Sequence, residues 1–225
     1  MTEPTGKGLP RAVNFGVALT ALISTSPVLL LCLIAIRLTG RGPVFYRQPR
    51  AGLHGEAFVL WKLRTMVQGS DPVGVGEAVT AADPRVTSVG RLLRALSLDE
   101  LPNLFNVLAG EMAVVGPRPT LPAQIDLYTP HQRRRLEVPP GLTGWAQING
   151  RAGIPWEERI ELDVWYVGHR SPRLDLKICL LTIPSLLRRR RSQHLAVDAY
   201  AGSASDSPLR QAAEQERDSN PSGRG

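Results

Sequence analysis

Residues 13–36 form the one strongly apolar segment of the chain. As a helix rising about 1.5 Å per residue, the segment reaches roughly the thickness of a bilayer's hydrocarbon core, so the pattern predicts a membrane element. Its middle reads Ser24-Thr25-Ser26-Pro27. Pro27 removes a backbone donor and its ring clashes with the preceding turn, which bends a helix. The three hydroxyls can bond the freed carbonyls within lipid. Lys7 and Arg11 precede the segment, and Arg37, Arg41, Arg47 and Arg50 follow it, so the positive-inside rule does not place the two ends on opposite sides. Two paths stay open on this pattern: a re-entrant helix that dips into one leaflet and turns at Ser26-Pro27, or a tilted span with a proline kink.

Past this segment the patterning is finer. Residues 42–66 alternate apolar and polar positions around Gly52 and Gly55, which predicts a hairpin of two short strands. Residues 69–82 are rich in Gly, Val and Ala without helical period and read as a surface loop. Apolar positions three and four apart predict a helix over 91–108 and a polar-faced one over 119–138, with the tight VVGPRP turn between them. Residues 142–150 read as a short strand or hairpin ending in a glycine turn, and 156–166 as a helix. Residues 173–191 join an apolar face to a basic cluster, as a helix in the headgroup plane needs, with Pro184 breaking or bending it. After His194 large apolar residues almost vanish, so 192–225 is expected to be a disordered tail. The chain divides into an N-terminal segment (1–12), the membrane helix (13–36), one domain at the membrane surface (37–191) and the tail.

Composition narrows the chemistry. With 225 residues, 43% of them hydrophobic, there is enough for one domain with a core and too little for two large ones. A formal charge of +7 draws the surface to something anionic: phosphate, nucleic acid or acidic lipid. Cys32 and Cys179 lie far apart in separate apolar runs, which excludes a disulfide framework and zinc-ligand spacing and suits a reducing, cytoplasm-facing domain. Lys7 and Arg11 before an apolar run imitate a secretory signal, but no small-residue cleavage site follows before Arg37. The four histidines have neither metal nor triad spacing, and there is no Walker-type loop.

Two groups of residues can carry chemistry. In SLDELPNLFN, the carboxylates Asp99 and Glu100 precede an apolar helical pattern. Ser97 with Glu100 three residues on is a capping-box pattern, so the acids can serve only to start a helix. Pro102 would then fall at that helix's fifth position, where its missing donor is normally used, so the helix bends or starts later. The same geometry suits a nucleophile toward phosphorus, with a divalent ion offsetting the repulsion between anions. The second group is basic: Lys62, Arg64, Arg85, Arg91, Arg94 and Arg118. Most such charges are solvated. Arg118, fixed between Pro117 and Pro119, holds a planar fork of donors suited to a phosphate or carboxylate.

In order along the chain, FYRQPRAG, WKLRTM, DPRVTSVGRLLRALSLDELPNLFNVLAGEM, VVGPRP, PGLTGWAQINGR and ELDVWYV resemble the monotopic bacterial sugar transferases, the phosphoglycosyl transferases that begin glycoconjugate assembly. The resemblance runs over roughly residues 11–190 and is to the short, core-only form. It implies an α+β, mainly helical fold, with a re-entrant N-terminal membrane helix broken at Ser26-Pro27. Amphipathic interfacial helices and small β-hairpins would surround one active site.

The implied reaction moves a sugar 1-phosphate from a uridine diphosphate-sugar (UDP-sugar) to polyprenyl (undecaprenyl) phosphate through a covalent phosphosugar on Asp99. Magnesium is the implied cofactor, with Asp99 at the metal. Glu100 completes the dyad, its role open between holding magnesium, tuning Asp99 and accepting a proton. Lys62, Arg94 and Arg118 match active-site positions, and Arg64 and Arg85 join them as candidate substrate contacts. The implied location is monotopic, on the cytoplasmic face of the inner membrane against anionic lipids, with no nucleic-acid partner. A homodimer is open, since no coiled-coil seam argues for one. Departures from the family pattern are Arg11-Ala12-Val13-Asn14 where an aromatic-aspartate pair is usual, Pro139 for a common arginine, and Ala113 for serine. Two rivals remain: a membrane-tethered module binding nucleic acid or anionic lipid through the basic run 188–191, and an inactive scaffold.

Overall fold

The computed structural model describes residues 6–70, 83–150 and 154–192, with side chains to residue 185. Most of the expected loop 69–82, the tail, and the side chains of the basic run 188–191 lie outside these residues. The described chain is mainly helical. Helix α1 (Arg11–Leu38) leads to a hairpin of β1 (Phe45–Ala51) and β2 (Ala57–Leu63), then helices α2 (Ser88–Leu96) and α3 (Asn103–Ala109). Strand β3 (Ala113–Val115), the one-turn helix α4 (Pro130–Arg133), strand β4 (Gly141–Thr143) and helices α5 (Trp145–Asn149), α6 (Trp156–His169) and α7 (Pro172–Ser192) follow.

Helix α1 runs unbroken through Pro27. Pro27 cannot donate to the carbonyl of Ile23, and the Ser26 hydroxyl supplies the missing bond at 2.7 Å. Ser24 and Thr25 bond Thr20 and Ala21, whose carbonyls Pro27 does not free. One face of α1 is buried, at Asn14, Ala18, Leu29, Cys32 and Ile36. The opposite face exposes Phe15, Leu19, Ile23, Leu30 and Ile34, and α1 is long and apolar enough to cross a membrane.

Both ends of α1 are tied to the same body. At the start, Arg11 donates to the carbonyls of Val107 and Leu108 at the end of α3. Asn14 accepts from the Val114 amide at 2.8 Å and donates to the carbonyls of Leu9 and Pro10. An ionised aspartate in its place could accept but not donate. At the other end, Arg64 donates to the carbonyls of Ile36, Gly40 and Arg41, closing the exposed end of the helix.

The expected hairpin is present, with Tyr46 opposite Lys62 and Arg50 opposite Phe58. Two other expectations are corrected. The helix over 91–108 is two helices, because Ser97 takes a left-handed conformation (φ 57°) that ends α2, and α3 starts only after Pro102. Ser97 makes no capping bond through its side chain at the following turn, so the capping-box reading fails and the helix starts later. The helix over 119–138 is a 3-10 turn (Pro122–Leu127), α4 and a further 3-10 turn, since Pro130 forces a fresh start, capped by Thr129 and Gln132. Of the short strand or hairpin expected over 142–150, the strand is present as the end of β4, which pairs in parallel with β3 before the chain turns into α5 and ends it at Gly150. The helix over 156–166 continues to His169, and Pro184 lies within α7 without ending it.

Leu60, Leu104, Val107, Val115, Tyr166, Val167 and Ile178 form the main core with Ala18 of α1, and a second cluster joins Leu29, Cys32 and Ile36 to Leu63 and Leu93. Both cysteines are free thiols. Asp175 of α7 accepts from the Tyr166 hydroxyl and the Leu9 amide, both at 2.7 Å, which fixes the approach to α1. Replacing Asn14 with Leu leaves the buried Val114 amide unpaired. We expect Asn14→Leu to lower stability by about 1–3 kcal/mol, read as an earlier thermal transition in detergent; an unchanged transition would show that this tie does not hold α1.

Candidate functional site

Asp99 and Glu100 occupy a single 3-10 turn, Leu98–Glu100, between α2 and α3. The left-handed Ser97 on one side and Pro102 on the other isolate this turn, so the two acids project from a corner rather than from a helix face. Neighbouring elements bring cations to that corner. Strand alternation places Lys62 and Leu60 of β2 on one face with Tyr46, Gln48 and Arg50 of β1. Asn106 of α3 sets the distance between strand and corner: it donates to the Val59 carbonyl at 2.7 Å and accepts from the Trp61 amide at 3.2 Å.

Glu100 accepts from Lys62 at 3.0 Å and from Arg118 at 2.7 Å, through the same oxygen. Burial alone would push its carboxyl up, but Arg118 and Lys62 overcome that and hold it well below the usual carboxylate value. Burial lowers the pKa of the Lys62 ammonium, with Glu100 opposing, and Glu100 raises that of the Arg118 guanidinium. Arg50, close to Arg118, is pulled down to about 10 by burial and then by that like charge. Arg94 of α2 donates to Thr65 at 2.9 Å and interacts with Asp99 and Asp83. Asp99 thus lies in the field of Lys62, Arg94 and Arg118.

The loop carrying Arg118 is fixed at successive carbonyls. Pro117 accepts from the Gly141 amide, Arg118 from Arg135, Pro119 from Arg50 and Thr120 from the Ala51 amide. Arg135 is itself buried and clamped by Asp163 at 2.6 Å and the Tyr128 hydroxyl at 2.6 Å. A buried ion pair of this kind sets geometry more than it adds stability.

Of the residues singled out from the sequence, Asp99, Glu100, Lys62, Arg94 and Arg118 come together here. Arg64 does not, since its guanidinium is committed to the end of α1. Arg85 pairs with Asp83 at 2.8 Å and meets the cluster through Asp83, which faces Arg94. Ser26 and Pro27 lie in α1, outside this cluster. Sequence reasoning missed Arg50, whose signal was available: once the hairpin register is fixed, period two puts it on the face of Lys62. Arg135 and Asp163 had no local signal, because their pairing joins distant parts of the chain.

Four cations (Arg50, Lys62, Arg94, Arg118) around two carboxylates leave a net positive cleft that suits a phosphate. Among the described residues no three of His, Cys, Asp and Glu gather as a metal cage. Magnesium is commonly held by one or two carboxylates completed by substrate phosphates and water, and Asp99 beside Glu100 fits that mode. With Glu100 already paired to two cations, Asp99 would be the principal oxygen donor to such an ion.

Because its folded pKa lies below the ordinary 4.5, Glu100 contributes stability that is present above that pH and lost as pH falls through the folded value. The stability difference between wild type and Glu100→Gln, followed by denaturant unfolding, should be level near neutrality and shrink under acid. A difference that grows on acidification would refute the pairing.

A family model described as bacterial sugar transferase matches residues 6–189. A protein from Bacillus subtilis (strain 168) named uncharacterized sugar transferase EpsL is 46% identical over 87% of this chain and 96% of its own length. Two proteins named UDP-glucose:undecaprenyl-phosphate glucose-1-phosphate transferase are also similar. The one from Caulobacter vibrioides is 48% identical over 75% of this chain, and the one from Escherichia coli (strain K12) 44% over 78%. The matches span 65% and 39% of those two proteins.

Proposed function

Because the chain belongs to the bacterial sugar transferase family, we propose that it transfers a sugar 1-phosphate from a UDP-sugar to polyprenyl phosphate, releasing uridine monophosphate (UMP). The observation that carries this reading is the Asp99–Glu100 corner inside a cationic cleft, on a body whose first helix is apolar and exposed.

Asp99 is the nucleophile. Its carboxylate oxygen attacks the phosphorus that bears the sugar, forming an aspartyl phosphosugar, and the bond to the UMP oxygen breaks with its electron pair leaving on UMP. A polyprenyl phosphate oxygen then attacks the same phosphorus, the bond to Asp99 breaks, and the carboxylate is regenerated as polyprenyl diphosphate-sugar departs. Lys62, Arg118, Arg50 and Arg94 neutralise the diphosphate and the charge that spreads over the transferring oxygens. Glu100 holds Lys62 and Arg118 at a fixed spacing, so that little reorganisation is needed when phosphate arrives. Asp99, together with substrate phosphates, would hold magnesium, which would supply charge that lowers the repulsion between the two anions.

The two substrates differ in solubility, and α1 answers that. Asn14 and Ile36 lie about 33 Å apart along a straight helix, roughly the thickness of a hydrocarbon core, yet both pack on the same polar body. An upright span would draw that body into lipid, which favours both ends of α1 on one face of the membrane, with the helix bending in lipid at Ser26-Pro27 so that its middle lies deepest. Exposed Leu176, Leu180 and Ile183 on α7 offer a second apolar surface to the same interface. The free thiols suit the cytoplasmic face, where anionic lipids would meet the net charge of +7.

The deciding assay is UMP release from a panel of UDP-sugars with polyprenyl phosphate and magnesium. Wild type should release UMP, and Asp99→Asn should lose at least about a thousandfold, in line with removal of a nucleophile. Release that survives Asp99→Asn refutes the covalent route, and no release from any donor refutes the transferase. For topology, Lys7→Cys and Arg41→Cys should both label with an impermeant thiol reagent from the same side of membrane vesicles; labelling from opposite sides excludes the one-face arrangement.

A further inference from the structure

Asn103 and Asn106 stand one turn apart on α3 and are both buried, at 5% and 1% exposure. Asn106 is fully engaged, donating to the Val59 carbonyl and Glu111 and accepting from the Trp61 amide. Asn103 differs. It lines the cleft with Lys62, Glu100 and Arg118, and its side-chain oxygen is buried without a hydrogen-bond partner. A buried acceptor left unpaired is costly, and native structures keep few.

The chemistry around it limits what can supply the donor. Arg50, Lys62 and Arg118 line the same cleft, yet none of them donates to the Asn103 oxygen. Lys62 and Arg118 are already held on one Glu100 oxygen. Asn103 is the one side-chain amide among the described residues lining the cleft. A metal ion at its oxygen would face three neighbouring cations and is better placed at Asp99. A phosphate would take the cations, and the first donor beyond the phosphate is on the sugar.

We propose that Asn103 determines sugar specificity: its amide oxygen accepts a hydrogen bond from the hydroxyl, or acetamido N–H, on the sugar carbon next to the one bearing the phosphate. The proposal rests on the transferase reading above. The contact completes the hydrogen bonding of Asn103 only when such a sugar is bound, and it orients the sugar so that the phosphorus faces Asp99. A hydroxyl and an acetamido N–H present the same donor, so Asn103 selects for the donor and not for one sugar.

The test uses the full chain in detergent and compares kcat/KM for the active UDP-sugar with that for the analogue lacking this substituent. Wild type should prefer the intact sugar by roughly 10- to 100-fold, the scale of one buried hydrogen bond to substrate. Asn103→Leu should lower turnover of the intact sugar to that of the analogue and leave the analogue little changed, so the preference collapses. Asn103→Gln, which keeps an amide, should retain part of it. Three results overturn the proposal alone: a wild-type preference near one, which decides the matter even if the variant fails to fold; a preference that survives in Asn103→Leu; and an equal loss for both donors, the mark of a structural role. No UMP release from any donor overturns the transferase reading as well.

Discussion

One carboxylate oxygen shared by two cations organises the centre of this protein. Lys62 comes from a strand, Arg118 from a loop, and Glu100 from the turn between two helices. Left to themselves, Lys62 and Arg118 would repel each other and seek water. The Glu100 carboxylate between them makes their approach favourable, and partial burial makes the arrangement directional. The adjacent Asp99 then lies in a field set by the cluster and not by its own solvent exposure.

The rest of the fold keeps these parts from drifting. Asn106 fastens α3 to the backbone of β2, while Arg135, held by Asp163 and Tyr128, fastens the loop of Arg118 to α6. Each fastening is a buried polar side chain bonded to main-chain groups, which fixes position more sharply than apolar packing does. Apolar clusters fill the space between them, and α1 contributes to both of the larger ones. The apolar helix is therefore part of the domain's core, which ties the position of the cleft to that of the helix.

The basic residues divide by task once their partners are known. Arg11 and Arg64 close helix ends, Arg135 supports a loop, Arg85 neutralises Asp83, and Arg50, Lys62, Arg94 and Arg118 face the acids. Nothing in the local sequence separates these classes. Arg64 lies two residues after Lys62 in WKLRTM, yet the strand ends at Leu63 and sends the two side chains to different duties.

Period and punctuation in the sequence determined the apolar helix, the hairpin and helix α6, because these depend on neighbours in the chain. The motif order also determined the family. Ser97's left-handed turn and the parallel pairing of β3 with β4 were decided by tertiary structure, where close packing outweighs local preference. So were the commitment of Arg64 to α1, the recruitment of Arg50, the Arg135–Asp163 clamp and the unpaired oxygen of Asn103. These depend on which distant groups share a buried space, and a buried charge or amide takes its role from the partner it meets there.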